Sequence, residues 1–291
     1  MAVTPDRTSP RGQAGGPQNN ERGVTLVELM IAITIALLAT GGAWMVYSSQ
    51  QAEFARQRMV SELDLTARMA VNDMAKRLRL ARVGSDPANA ISVACAGRII
   101  FQSNRRGVYT FLKQASVINN ATISVDSVAG FTVGDNVALT DWASWQTRTI
   151  TGMNNAVNPP TVTLSAALAS VFPGGSGVFQ VLSTTLELDL APKQLKSGAL
   201  VLATNVKMNA NGYPPSGVAL FRYFDQSNVE MLPAAGATAL TTCLTAGQRT
   251  MVREVIVSLS LESPRVTNVA AQTRSTVTHQ TGVKLRLPSP S

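Results

Sequence analysis

Histidine and cysteine are scarce in this chain: His279 is the one histidine, and Cys95 and Cys243 are the two cysteines, among 291 residues. One histidine leaves no two-histidine metal site and no histidine-paired nucleophile with a second imidazole to spare. The sequence also has no Gly-x-Ser-x-Gly elbow, no Gly-rich phosphate loop ending in Lys-Ser/Thr and no Cys-x-x-Cys pair. Gly174-Gly175-Ser176-Gly177 reads as a flexible turn, and His279, set in an alternating strand, as a structural side chain. These absences argue against an enzyme and imply no cofactor and no metal. Charge is sparse as well, at 14% of residues against 45% hydrophobic, which suits a secreted, β-rich protein better than a cytosolic helical one.

What charge there is leans positive, with a formal net of +8. Such an excess attracts DNA or anionic surfaces when it is concentrated. Apart from the Lys76 to Arg82 segment and the pair Arg105-Arg106, the basic residues are scattered. A solvated face is the plainer reading, with a DNA or surface ligand as the alternative.

The most informative stretch runs from Val24 to Tyr47. No residue from Leu29 to Ala52 is charged, and a helix over Val24 to Tyr47, rising ~1.5 Å per residue, extends roughly 36 Å, enough for a hydrocarbon core of ~30 Å. Residues 1 to 23 are polar and have no apolar core of their own, so they are not a secretory signal peptide. The apolar run follows the expected processing point instead of preceding it.

That arrangement, with the hexapeptide Gly23-Val24-Thr25-Leu26-Val27-Glu28, resembles the class III leader of type IV pilins and of type II secretion pseudopilins. The resemblance implies cleavage by prepilin peptidase after Gly23, removal of residues 1 to 23, and Val24 as the new, N-methylated amino terminus. Loss of three arginines (Arg7, Arg11, Arg22) and two acids (Asp6, Glu21) lowers the formal charge from +8 to +7. Glu28 then lies five residues into an apolar helix. An acid at the centre of a span costs roughly 2.5 to 3.5 kcal/mol, and less near an end, where it can snorkel to the headgroups. The other reading is that Glu28 meets a neighbouring subunit's α-amino group on assembly.

Past the membrane the helix is expected to continue, with a kink or loosened turn at Gly41-Gly42. Val60, Leu63, Ala67, Ala70, Met74, Leu78 and Ala81 form one apolar stripe at spacings of three and four, and Gly84 followed by Pro87 supplies the stop. Beyond it, short β-branched or aromatic runs (Arg98 to Gln102, Val108 to Leu112, Leu186 to Leu190, Val218 to Phe224) lie between turns such as Arg105-Arg106-Gly107 and Asn211-Gly212. Alternation around Val255 to Leu261 and Val277 to Leu287 predicts two long strands, joined near Ser263-Pro264, that close the sheet against the helix. Residues 121–181 read as an inserted small barrel or second sheet, in which Trp142 and Trp145 are either core or a binding anchor.

The domain plan is therefore a cleaved leader (1–23), an N-terminal helix (24–84), and a β-rich periplasmic or extracellular head (85–291) carrying the insertion. The fold class is α+β and type IV pilin-like: a long N-terminal helix packed on an antiparallel sheet. Within that superfamily the chain resembles PilW-type minor pilins, through this architecture, the Leu220-Phe221-Arg222-Tyr223-Phe224 stretch and the final Val283-Lys284-Leu285-Arg286 strand. The resemblance implies a structural and assembly-priming subunit, first in the inner membrane and then at the cell surface, with other minor and major pilins as partners through the helix. A type II secretion pseudopilin and a tip-located binding module remain alternatives. In an oxidising compartment Cys95 and Cys243 are expected to bond to each other, the alternative being two buried thiols.

Overall fold

The computed structural model describes residues 24–208, 219–231, 243–263 and 275–285. Gly23 and the rest of the leader, the Asn211-Gly212 turn, Pro264 and the Arg286-Leu287 end lie outside the described residues. The chain divides into two units, residues 1–56 and 57–291. One helix, α1 (Leu26–Arg79), supplies the described part of the first and enters the second.

In the first unit, α1 starts where Thr25 accepts a hydrogen bond from the Glu28 amide at its Oγ1 (3.3 Å), satisfying one of the unpaired donors of a helix start. Residues 24–56 are all exposed in the isolated chain. A helix apolar on every side is at home only in apolar surroundings, in lipid or against other helices. Its hydroxyls are already satisfied within the helix: Thr34 donates to the Met30 carbonyl (2.8 Å) and Thr40 to that of Ala36 (2.7 Å). Gly41 and Gly42 lie inside unbroken helix, so neither ends nor interrupts it. Among the described residues this is the one helix long and apolar enough to cross a membrane.

In the second unit the same helix becomes amphipathic. Leu63, Ala67, Ala70, Val71, Met74, Ala75 and Leu78 are buried, the three- and four-residue spacing that puts them on one face. Outside that face, ion pairs one turn apart link Arg58 to Glu62 (3.1 Å), Arg68 to Asp64 (2.9 Å) and Arg77 to Asp73 (2.7 Å). Lys76, Arg77 and Arg79 in the last turn complement the helix dipole. The chain then turns through Arg82 and Gly84, both with positive φ (72° and 65°). Gly84 is required there: a Cβ would meet Asn104 Cβ at 2.9 Å and Phe179 Cβ at 3.1 Å.

The strands are antiparallel throughout. β1 (Ile91–Ala94), β2 (Arg98–Ser103), β3 (Tyr109–Phe111), β4 (Thr122–Ser124), β5 (Asn136–Thr140), β6 (Trp145–Asn154), β7 (Thr161–Leu164), β8 (Gly177–Asp189), β9 (Gln194–Ser197) and β10 (Leu200–Ala203) form one ten-stranded sheet. Its main path is β1-β2-β8-β5-β6-β7-β4, with β3 and β9 also on β8, and β10 on β9. After β11 (Phe221–Phe224) and the short α2 (Ala246–Met251), β12 (Glu254–Glu262) and β13 (Thr276–Lys284) pair over nine residues, making a three-stranded sheet β11-β12-β13.

One expectation about the sheets changes. The long final strands do not close the main sheet; with β11 they make a sheet of their own, and both sheets contribute to the core that holds the helix. The inserted segment closes into a small barrel, β3-β8-β5-β6-β7-β4, whose ends meet where Leu112 bridges Val125, the Lys113 amide donates to the Ser124 carbonyl (2.9 Å) and the Asp126 amide to the Phe111 carbonyl (2.9 Å); it joins the rest of the main sheet through the long strand β8. Its Val181 end pairs with β5 and its Leu186 end with β2 and β9. Accordingly Leu186 and Leu188 join a large core with Met74, Leu78, Phe101, Tyr223, Val257 and Leu259, whereas Val178 joins a smaller one with Leu112, Val137, Leu139, Ile150 and Phe172. Phe131 and Thr132 lead into a turn at Val133-Gly134 that tucks Phe131 into the smaller core.

Candidate functional site: the amino-terminal helix and the stapled head

Val24 stands 71% exposed just before α1, and Glu28 lies in its first turn. The Glu28 amide is capped by Thr25, but its carboxylate has no partner among the described residues. A capping hydroxyl and an acid in the first turn favour the helix start electrostatically. They also leave one ionisable group in a stretch that is otherwise uncharged as far as Ala52. None of the described residues pairs with it.

The head is fastened at two places that involve the sequence-selected residues. Cys95 and Cys243 form a disulfide across a sequence separation of 148. It sits in a short antiparallel bridge in which the Leu244 amide donates to the Ala94 carbonyl (2.8 Å). Beside it the Tyr223 hydroxyl, fully buried, donates to the Cys95 carbonyl (2.9 Å), and burial raises the Tyr223 pKa well above that of a free phenol. The disulfide therefore ties the β1–β2 turn to the segment before α2, next to the middle of β11. The second fastening is His279 on β13. Its Nε2 lies 2.6 Å from Asp64 Oδ1, while Asp64 Oδ2 takes Arg68 Nε at 2.9 Å. This lone histidine joins the second half of α1 to the three-stranded sheet.

Two arginines of the head stand out among the remaining ionisable groups. Arg222 on β11 forms a two-pronged pair with Glu230 (2.7 and 2.6 Å) and lies 5.2 Å from the Phe224 ring centroid. The pair raises the Arg222 pKa and lowers that of Glu230. Arg82 is 6% exposed, and its Nε and Nη1 have no hydrogen-bond partner. Burial, with Arg253 nearby, lowers its pKa to about 10. The described residues contain no cluster of three or more His, Cys, Asp or Glu side chains suited to a metal.

The two tryptophans separate. Trp145 begins β6 half-buried, but Trp142 is 68% exposed at φ 72°, so the core reading fails for it. An Asp-Trp-Ala-Ser turn explains this: the Asp141 carboxylate accepts from the amides of Ala143 and Ser144 and from the Ser144 hydroxyl, and Thr140 Oγ1 accepts from the Trp142 amide. Those bonds hold the ring out of the sheet.

A capped, membrane-length apolar helix whose second half is packed into an antiparallel α+β head defines a type IV pilin-like architecture, the architecture of structural subunits. Residues 18–44 match the family model described as the prokaryotic N-terminal methylation motif. That match and the fold together support a type IV pilin-like or pseudopilin-like protein, processed by prepilin peptidase and anchored by its apolar helix. No curated protein matches the chain.

Proposed function

We propose that this protein is a minor pilin, a low-copy structural subunit that helps initiate a type IV pilus. In this reading prepilin peptidase cleaves after Gly23, Val24 becomes the N-methylated amino terminus, and the helix serves first as inner-membrane anchor and then as filament core. The head faces the periplasm and afterwards the cell surface. The observation that carries the proposal is Glu28: an acid in the first turn of a lipid-length apolar helix, with no partner among the described residues. A neighbouring subunit's α-amino group satisfies it in a low-dielectric bundle, where opposite charges attract far more strongly than in water. The size of the β-rich head, with its two cores, supports a tip-proximal, low-copy position over a densely repeated shaft position.

The test is Glu28→Ala in a strain lacking the native protein. The substitution makes the helix more apolar, so its inner-membrane level should equal or exceed that of the native chain. Incorporation into surface fibres should fall severalfold. Normal piliation with wild-type incorporation of the variant removes the role assigned to Glu28. Dense labelling of the native protein along whole fibres removes the minor-subunit assignment.

A further inference from the structure

The register of the main sheet places a cluster of aromatic rings on the face opposite the smaller core. Tyr109 on β3 is opposite Phe179 on β8, which is opposite Ala138 on β5. In the next row along the same face, Phe111 is opposite Gly177, then Thr140, then Trp145. Val178 and Leu139, one residue away, point into the smaller core. Trp142 completes the group from the β5–β6 turn.

The rings touch in a continuous chain. Centroid separations are 5.7 Å for Phe111 and Tyr109, 6.1 Å for Tyr109 and Phe179, 5.9 Å for Phe179 and Trp142, and 6.0 Å for Trp142 and Trp145. Gly177 makes this possible, because a Cβ there would lie 2.5 Å from the Phe179 ring. With no side chain in the way, Phe179 lies down across the sheet and supports its neighbours. Yet the outermost rings stay in solvent: Trp142 is 68%, Tyr109 57% and Phe111 41% exposed. Aromatic surface held open in this way, by a glycine on one side and a hydrogen-bonded turn on the other, is a platform for stacking.

Its occupant follows from the charges and from the polar groups. Arg105 and Arg106 are exposed in the turn that leads directly into β3, and neither has an ion-pair or hydrogen-bond partner among the described residues. Asp141 Oδ1 is engaged by its own turn and the Asn104 amide nitrogen by the Val108 carbonyl (3.1 Å), so the free charged groups beside β3 are the two guanidiniums, which attract an anion. The rings are also tilted 60° and 83° about Trp142, so they suit separate flat rings and not one extended planar surface. Flat rings on a polyanionic backbone are the chemistry of an unpaired nucleic-acid strand. We infer that the β3–β8–β5 face with Trp142 is a stacking site for single-stranded nucleic acid, its phosphates met by Arg105 and Arg106. The inference concerns the head's own surface and holds whether or not the chain enters a filament.

The test uses the full chain in detergent micelles and a fluorescein-labelled oligothymidylate of twenty nucleotides, read by anisotropy across a salt series. Trp142→Ala and Tyr109→Ala alter exposed rings and should each weaken binding roughly tenfold. The double substitution Arg105→Gln, Arg106→Gln should also weaken it and make the log K against log salt slope shallower by about 1.4. Circular dichroism and intact disulfide confirm that each variant is folded. A duplex of the same length and polygalacturonate serve as competitors and should displace the probe only weakly. Absence of saturable binding at low salt, displacement by either competitor as effective as by unlabelled oligothymidylate, or affinity unchanged by both aromatic substitutions each overturns the inference.

Discussion

Removing the disulfide perturbs the head at a point where several long-range elements meet. Replacing Cys95 and Cys243 by Ala leaves the neighbouring bonds possible, from Leu244 to Ala94 and from Tyr223 to the Cys95 carbonyl. What changes is chiefly the unfolded chain, which loses a closed loop spanning a sequence separation of 148. In the chain-entropy account a loop of that length restricts the unfolded ensemble by about 5 kcal/mol, at the upper end of the 2 to 5 kcal/mol seen on removing native disulfides. With a urea dependence of ~2 kcal/mol per molar, a loss of even 3 kcal/mol lowers the midpoint by about 1.5 M. The assay is urea denaturation of the full chain in detergent, followed by head tryptophan fluorescence in a Trp44→Phe background. Reduced wild-type protein should behave like the double variant. Equal midpoints for oxidised wild type and double variant refute the reasoning, as do two reactive thiols per chain in unreduced, denatured protein.

Three further outcomes are expected. Gly177→Ala forces the Phe179 ring off the sheet, and overpacking of this kind costs roughly 1 to 3 kcal/mol; a urea midpoint unchanged from wild type contradicts the assigned contact. Tyr223→Phe leaves the Cys95 carbonyl without its buried donor and should cost about 1 to 2 kcal/mol, measured the same way. The Glu230 pKa is lowered by Arg222, so the pair's contribution is fully present above the unfolded carboxylate value of ~4.3 and is lost as pH falls through the lower folded value. Thermal midpoints of wild type and Glu230→Gln should accordingly differ at pH 6 and converge near pH 2 to 3, whereas a constant gap over that range excludes the linkage.

The amino-terminal helix of this protein was legible from its residues because the controlling interactions are local. An uninterrupted apolar run sets the span, and apolar residues three and four apart set which face of α1 is buried; each depends on neighbours within a turn or two. Cysteine count and compartment likewise sufficed to pair Cys95 with Cys243. Strand positions were partly readable from alternation, but their partners were not, since antiparallel register joins residues with no local relation. That β8 would serve both cores, that β11, β12 and β13 would form a separate sheet, and that His279 would reach Asp64 were decided by tertiary packing. Trp142 is the clearest case. A tryptophan between short strands has ample apolar area to be core, yet the turn anchored by Asp141 turns it outward, and register then gathers Tyr109 and Phe179 beside it. Composition supplied the rings, and only the pairing of β3, β8 and β5 put them on one face.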